Sequence, residues 1–128
     1  MAEFSNYLEN ALINAALRAT NFTAPTTVYV SLYTSDPTDA DTGTEVSGGS
    51  YARTSAAFDA PSNGVTQNTS DVTFPTATAS WGTVTHVAIH DAASAGNMLF
   101  HTPLDTSKTI DSGDIFKITA GNLTVTLA

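Results

Sequence analysis

The sequence predicts a mainly β protein in which one N-terminal α-helix is followed by an antiparallel β-sandwich or small barrel. Three observations carry this. Apolar residues recur at three- and four-residue spacing over the first twenty positions. They switch to strict alternation after Pro25, and from Tyr51 onward they fall in short runs separated by turn residues. One helix and then about six to eight short strands is the pattern of antiparallel layers around one core.

The helix is expected over residues 1–21, where Phe4, Leu8, Ala11, Leu12, Ala15 and Ala19 form one apolar stripe. Ile13 and Leu17 lie off that stripe, which predicts cover on a second side. Asn21 is the expected stop, and Pro25 blocks continuation. The β region is expected over 26–128 of a single 1–128 domain, with no internal repeat. In TTVYVSLYT, Val28, Val30 and Leu32 share one face and Tyr29, Ser31 and Tyr33 the other. A polar loop, SDPTDADTGTEVSGGS, follows. Asn63-Gly64 marks a hairpin turn, and Pro75 closes the strand through Val72 and Phe74. WGTVTHVAIHD is the strongest interior strand, placing Val84, His86, Ala88 and His90 on one face and Val87 and Ile89 on the other. MLFHTPL reads as a strand and DTSKTIDSGD as a polar connection. The last segment reads as two strands paired through a turn at Ala120-Gly121-Asn122, with Phe116, Ile118, Leu123, Val125 and Leu127 facing inward.

Composition narrows the function. There is no cysteine, so disulfides, zinc-thiolate sites and thiol catalysis are excluded. Net charge is -8, and four basic residues scattered along the chain cannot neutralise a phosphate backbone, so no nucleic-acid partner is expected. No apolar run reaches the roughly 20 residues of a membrane span. The N-terminus carries Glu3 and Glu9 where a secretory leader has basic residues. Only 12% of the residues are charged, about half the share of an average soluble protein. Thr, Ser, Asn and Ala fill the deficit, which suits both exposed strand faces and surfaces covered by other chains.

Asp36, Asp39, Asp41 and Glu45 invite a calcium reading. The EF-hand spacing fails, since counting from Asp39 puts Thr44 where glycine is required. A solvated loop whose carboxylates accept from turn amides is preferred. His86 and His90, four apart on a strand, stand more than about 10 Å from each other and cannot share one metal. His101 can approach either across a hairpin, but the preferred reading of the pair is of partly buried rings bonded to backbone or hydroxyls. SGGSYAR lacks the G-x-S-x-G elbow of a serine hydrolase, and its glycines lead into a strand rather than a phosphate-binding helix. Neither a catalytic set nor a cofactor is predicted.

Several stretches in order carry a resemblance. They are the helix A-x-F-S-x-Y-L-E-x-A-L-x-N, then V-Y-V-x-L-Y-T-x-x-P, G-T-E-V-S-G-G-S-Y-A-R and T-F-P-x-A-T-A-x-W-G-T-V-T-H, and the closing S-G-D-x-F-x-x-x-A-G-x-L-x-V-T-L-A. Together, nearly end to end, they resemble a group of small tailed-bacteriophage virion proteins labelled as tail-fibre or structural proteins. The resemblance implies a non-enzymatic virion component, assembled in the host cytoplasm. Its partners are other virion proteins, either the major capsid protein or tail proteins, together with its own copies in a homo-oligomer such as a trimer. Capsid cement is the favoured role, and a tail-fibre adaptor or adhesin is the alternative. Under this reading Gly48-Gly49 supply positive φ in a turn. Tyr51 and Arg53, on one strand face, are the expected anchors for a partner chain, and Tyr33 and Tyr29 are further interaction candidates. The alternative reading packs Tyr51 locally and pairs Arg53 with Glu45, and Trp81 is read as a core residue. As a partner anchor, Arg53→Ala is expected to weaken assembly more than it lowers the melting temperature.

Overall fold

The computed structural model describes residues 2–127. The chain runs β1 (Glu3–Phe4), α1 (Asn6–Leu17), β2 (Val28–Tyr33), β3 (Thr54–Ala56), β4 (Val65–Gln67), β5 (Val72–Thr73), β6 (Gly82–His90), β7 (Met98–Ile110), β8 (Lys117–Ile118) and β9 (Thr124–Thr126). It is a mainly β fold, with one N-terminal helix followed by antiparallel sheets. The principal sheet has the order β1-β7-β6-β2-β3, and β4-β9 and β5-β8 form two-stranded ribbons. One face of the sheet, through Val30, Leu32, Val87, Ile89 and Leu99, shares a buried cluster with Phe74, Trp81, Phe116, Leu123 and Val125. The sheet is open, so the layered arrangement is realised and a closed barrel is not.

The helix is shorter than its apolar pattern. Ser5 caps it, its hydroxyl accepting from Leu8 N–H at 3.1 Å, and an N-cap residue stands outside the helix by definition. Glu3 and Phe4 therefore belong to a strand, with Phe4 opposite Phe100 and the two rings edge to face at 5.1 Å. At the other end Ala19 takes φ 53°, and Thr20 N–H turns back to the Asn14 carbonyl at 3.1 Å. This stops the helix before Asn21. Met1 lies outside the described residues. Leu8 is the buried helix residue, whereas Ile13 and Leu17 are exposed. The described residues provide no second cover.

β2 alternates as its sequence predicts. β6 does so only in part: the ladder loses register between Val84 and His86, where residues 104–107 of β7 stand against Thr85 alone. Across this irregularity Val84 joins Val87 and Ile89 in the main core, while His86, Ala88 and His90 keep the opposite face. The segment expected as a polar connection after Leu104 is a continuation of β7, which pairs Lys108, Thr109 and Ile110 with the start of β6. Asn63-Gly64 turns as expected, both residues at positive φ, closed by reciprocal Ser62 and Val65 hydrogen bonds of 3.0 Å.

The chain's end departs most from expectation. The turn at Gly121 forms, but β8 pairs with β5 and β9 with β4. Leu127, expected inward, is half exposed. A single buried side chain diverts the strands. The Asn68 amide accepts from Leu123 N–H at 2.9 Å and donates to the carbonyls of Ser70 at 2.9 Å and Thr119 at 3.1 Å. Its backbone exchanges bonds with Leu123 and Gly121. Asn68→Ala strands these buried groups, and the expected loss is about 1–3 kcal/mol in urea denaturation. A change within about 0.5 kcal/mol, the range of a plain surface substitution, contradicts this account.

Candidate functional site

The second face of the principal sheet is polar. Its ladder places Ala88 opposite both Ser31 and His101, so Ser31, Tyr33, His86, His90 and His101 look the same way. The acidic loop between β2 and β3 folds over them. Glu45 bridges back to Tyr33, and Val46 N–H bonds to the Leu32 carbonyl at 2.9 Å.

Each acidic residue then meets a different group. Asp36 accepts from Thr38 N–H at 2.8 Å and lies 3.9 Å from His86 Nε2. Asp39 Oδ1 stands 2.8 Å from His101 Nε2. Asp41 accepts from the Tyr33 hydroxyl at 2.6 Å and lies 3.6 Å from His90 Nε2. Glu45 accepts from Tyr51 Oη at 2.6 Å and takes both Nε and Nη2 of Arg53, at 2.9 and 2.8 Å. The four carboxylates thus do not converge as ligands of one ion. The solvated-loop reading is also incomplete, since the loop is held by side chains of the sheet and of the segment before β3.

Of the expected partner anchors, Tyr33 is buried and Tyr29 half-buried opposite His90. Tyr51 and Arg53 precede β3 rather than lie in it. They share the Glu45 carboxylate, and Tyr51 Oη also accepts Leu32 N–H at 3.0 Å. Arg53 Nη1 donates to the carbonyls of Ala92 at 3.0 Å and Ala95 at 2.8 Å, and its side chain is only 8% exposed. Gly48 and Gly49 have positive φ as expected, and Trp81 is a buried core residue that donates to the Gly49 carbonyl at 2.9 Å.

These contacts set the charge states. Burial raises the Glu45 carboxyl, but the hydrogen bonds from Arg53 and Tyr51 outweigh it and hold the group below its ordinary 4.5. Burial, with carboxylate acceptors beside them, pushes the Tyr33 and Tyr51 hydroxyls well above their usual range. Burial lowers His90 below 6.5. The Arg53 charge adds to this, against the pull of Asp41 and Glu45.

Ser31, His90 and Asp41 have the residue types of an acyl-transfer triad, with Ser31 Oγ 2.9 Å from His90 Nδ1. Both Ser31 and His90 are 0% exposed, so no substrate carbonyl can reach the hydroxyl. This set is structural. Sequence reasoning passed over it because Ser and Asp are common throughout the chain. The available signal was the alternation that puts Ser31, Tyr33, His86 and His90 on facing sides of neighbouring strands, followed by a loop rich in Asp.

The sequence pattern of the family described as Podophage GP4 fiber I protein gp80 matches residues 3–126. The chain belongs to that family. The match spans nearly all of the chain and bears out the resemblance to tailed-phage virion structural proteins. No curated protein matches the chain. In this gp80-family member no helix of the described residues is long and apolar enough to cross a membrane.

Two predictions follow from this geometry. Arg53→Ala leaves Glu45 half-buried and unpaired and two carbonyls without donors, so it should cost about 3–5 kcal/mol in chemical denaturation. That reverses the order expected for a pure partner anchor, and an unchanged monomer with impaired assembly would restore the anchor role. His90 is harder to protonate folded than unfolded, so its contribution is complete above about pH 6.5 and declines as pH falls from there toward its folded value. The melting temperature should drop on acidification through this window, and less so in His90→Gln.

Proposed function

We propose that this protein is a non-enzymatic structural module of a podophage virion and that it belongs to the tail-fibre apparatus. The observation that carries this reading is the match to a fibre-protein family across residues 3–126. The side-chain chemistry supports it. Ser31 bonds to His90, Arg53 to Glu45 and His101 to Asp39, and Ser31 and His90 are fully buried. Capsid cement, favoured from the sequence, rests on the same small size and low charge. The fibre description of the family gives the tail placement an argument of its own.

Contacts with other virion proteins, including further copies of the chain in a homo-oligomer, fall in this proposal on the outer face of α1. Tyr7, Ile13 and Leu17 are exposed there, with Ile115 a further exposed apolar residue elsewhere on the surface. Large apolar side chains on a surface poor in charge are the material of interface cores. Immunogold labelling of purified virions tests the placement, and label confined to the tail is expected. Dense label over the head would overturn the fibre placement and establish the cement role.

A further inference from the structure

Glu3, Asp39 and His101 come together from β1, the acidic loop and β7, and one ligand atom from each lies within 4.8 Å of the others. His101 is 4% exposed. Its Nε2 stands 2.8 Å from Asp39 Oδ1 and 3.7 Å from Glu3 Oε2. A neutral imidazole has one N–H to give, and Asp39 takes it. Glu3 is left facing the same nitrogen without a hydrogen-bond donor of its own among the described residues. No Lys or Arg compensates the two carboxylates. Arg53 pairs with Glu45 and Lys117 lies 3.9 Å from Asp71, while Arg18 and Lys108 form no ion pair among the described residues. Two carboxylates stand beside a buried imidazole, in a chain of net charge -8, and no lysine or arginine among the described residues pairs with them.

We propose that Glu3, Asp39 and His101 bind a first-row divalent transition metal, with Zn²⁺ as the probe. The donor set selects the class, since an imidazole nitrogen favours such ions over Ca²⁺ and Mg²⁺, which take oxygen ligands. Spacing agrees. With Zn–N and Zn–O bonds of about 2.0–2.2 Å, tetrahedral neighbours stand roughly 3.3 Å apart; the two histidine–carboxylate separations, 2.8 and 3.7 Å, bracket that value, and the carboxylate pair lies within 4.8 Å. The ion takes the place of the Nε2 proton, which is released on binding, and water fills the fourth position. The bound ion joins the first strand and the acidic loop to β7. Asp39 is already fixed there through its carbonyl, which accepts Asn6 N–H at 2.8 Å.

Isothermal titration with Zn²⁺ alone tests this on the full chain, on His101→Gln and on Glu3→Gln. One equivalent is expected to bind the parent chain, and each substitution should weaken it at least about tenfold. Glu3 is exposed, so Glu3→Gln keeps the fold and decides the matter even if His101→Gln does not fold. No saturable binding, or binding that Glu3→Gln leaves unchanged, overturns the site and leaves His101 as a buried donor to Asp39.

Discussion

The Glu45 carboxylate determines how the polar face of the sheet is closed. It takes the Tyr51 hydroxyl and both ends of the Arg53 fork. Arg53 extends the same connection to the turn after β6 through Ala92 and Ala95, and Tyr51 reaches β2 through Leu32 N–H. The segment before β3, strand β2 and the turn after β6 are thereby fixed to the end of one loop. Charge-assisted and forked bonds of this kind are the strong ones, and partial burial spares them the screening that weakens surface pairs. Once Glu45 is in place, its bridge to Tyr33 lays the loop back along β2. Asp41 and Asp39 are then brought over His90 and His101. The order of acids along the loop becomes a pattern of contacts across the sheet.

How far the sequence revealed this differs from one element to the next. β2 and the Asn63-Gly64 turn were legible because each is decided locally, by alternation or by two residues that tolerate positive φ. The helix boundaries were not, because the apolar stripe continues through Phe4 while the hydroxyl of Ser5 ends the helix one residue later. The partnering of β8 and β9 depends on Asn68, about fifty residues earlier in the chain, and no window around Gly121 contains that information. Val84 changed faces for a similar reason: the irregularity at Thr85 arises from surplus residues in another strand. At the site, the Glu45–Arg53 pair was foreseen as an alternative, whereas the matching of individual Asp and His residues required three-dimensional register.

Taken together, the molecule buries Ser31, His90, His101 and most of the Arg53 side chain against its own groups, while none of its threonines is buried among the described residues. A protein built on these lines contributes to an assembly through shape and contact area. Its partners meet a surface with few charges to desolvate, which lowers the cost of burying it.

The margins of the principal sheet carry a consequence for pairing with other chains. Its outermost strands, β1 and β3, have only two and three residues, so each offers a foreign chain little ladder of its own. Long bare edges of hydrogen-bonding groups are what allow β-rich proteins to knit into fibrils. Neither outer strand is long enough to serve as such a template, so pairing through β1 or β3 would engage very few backbone groups.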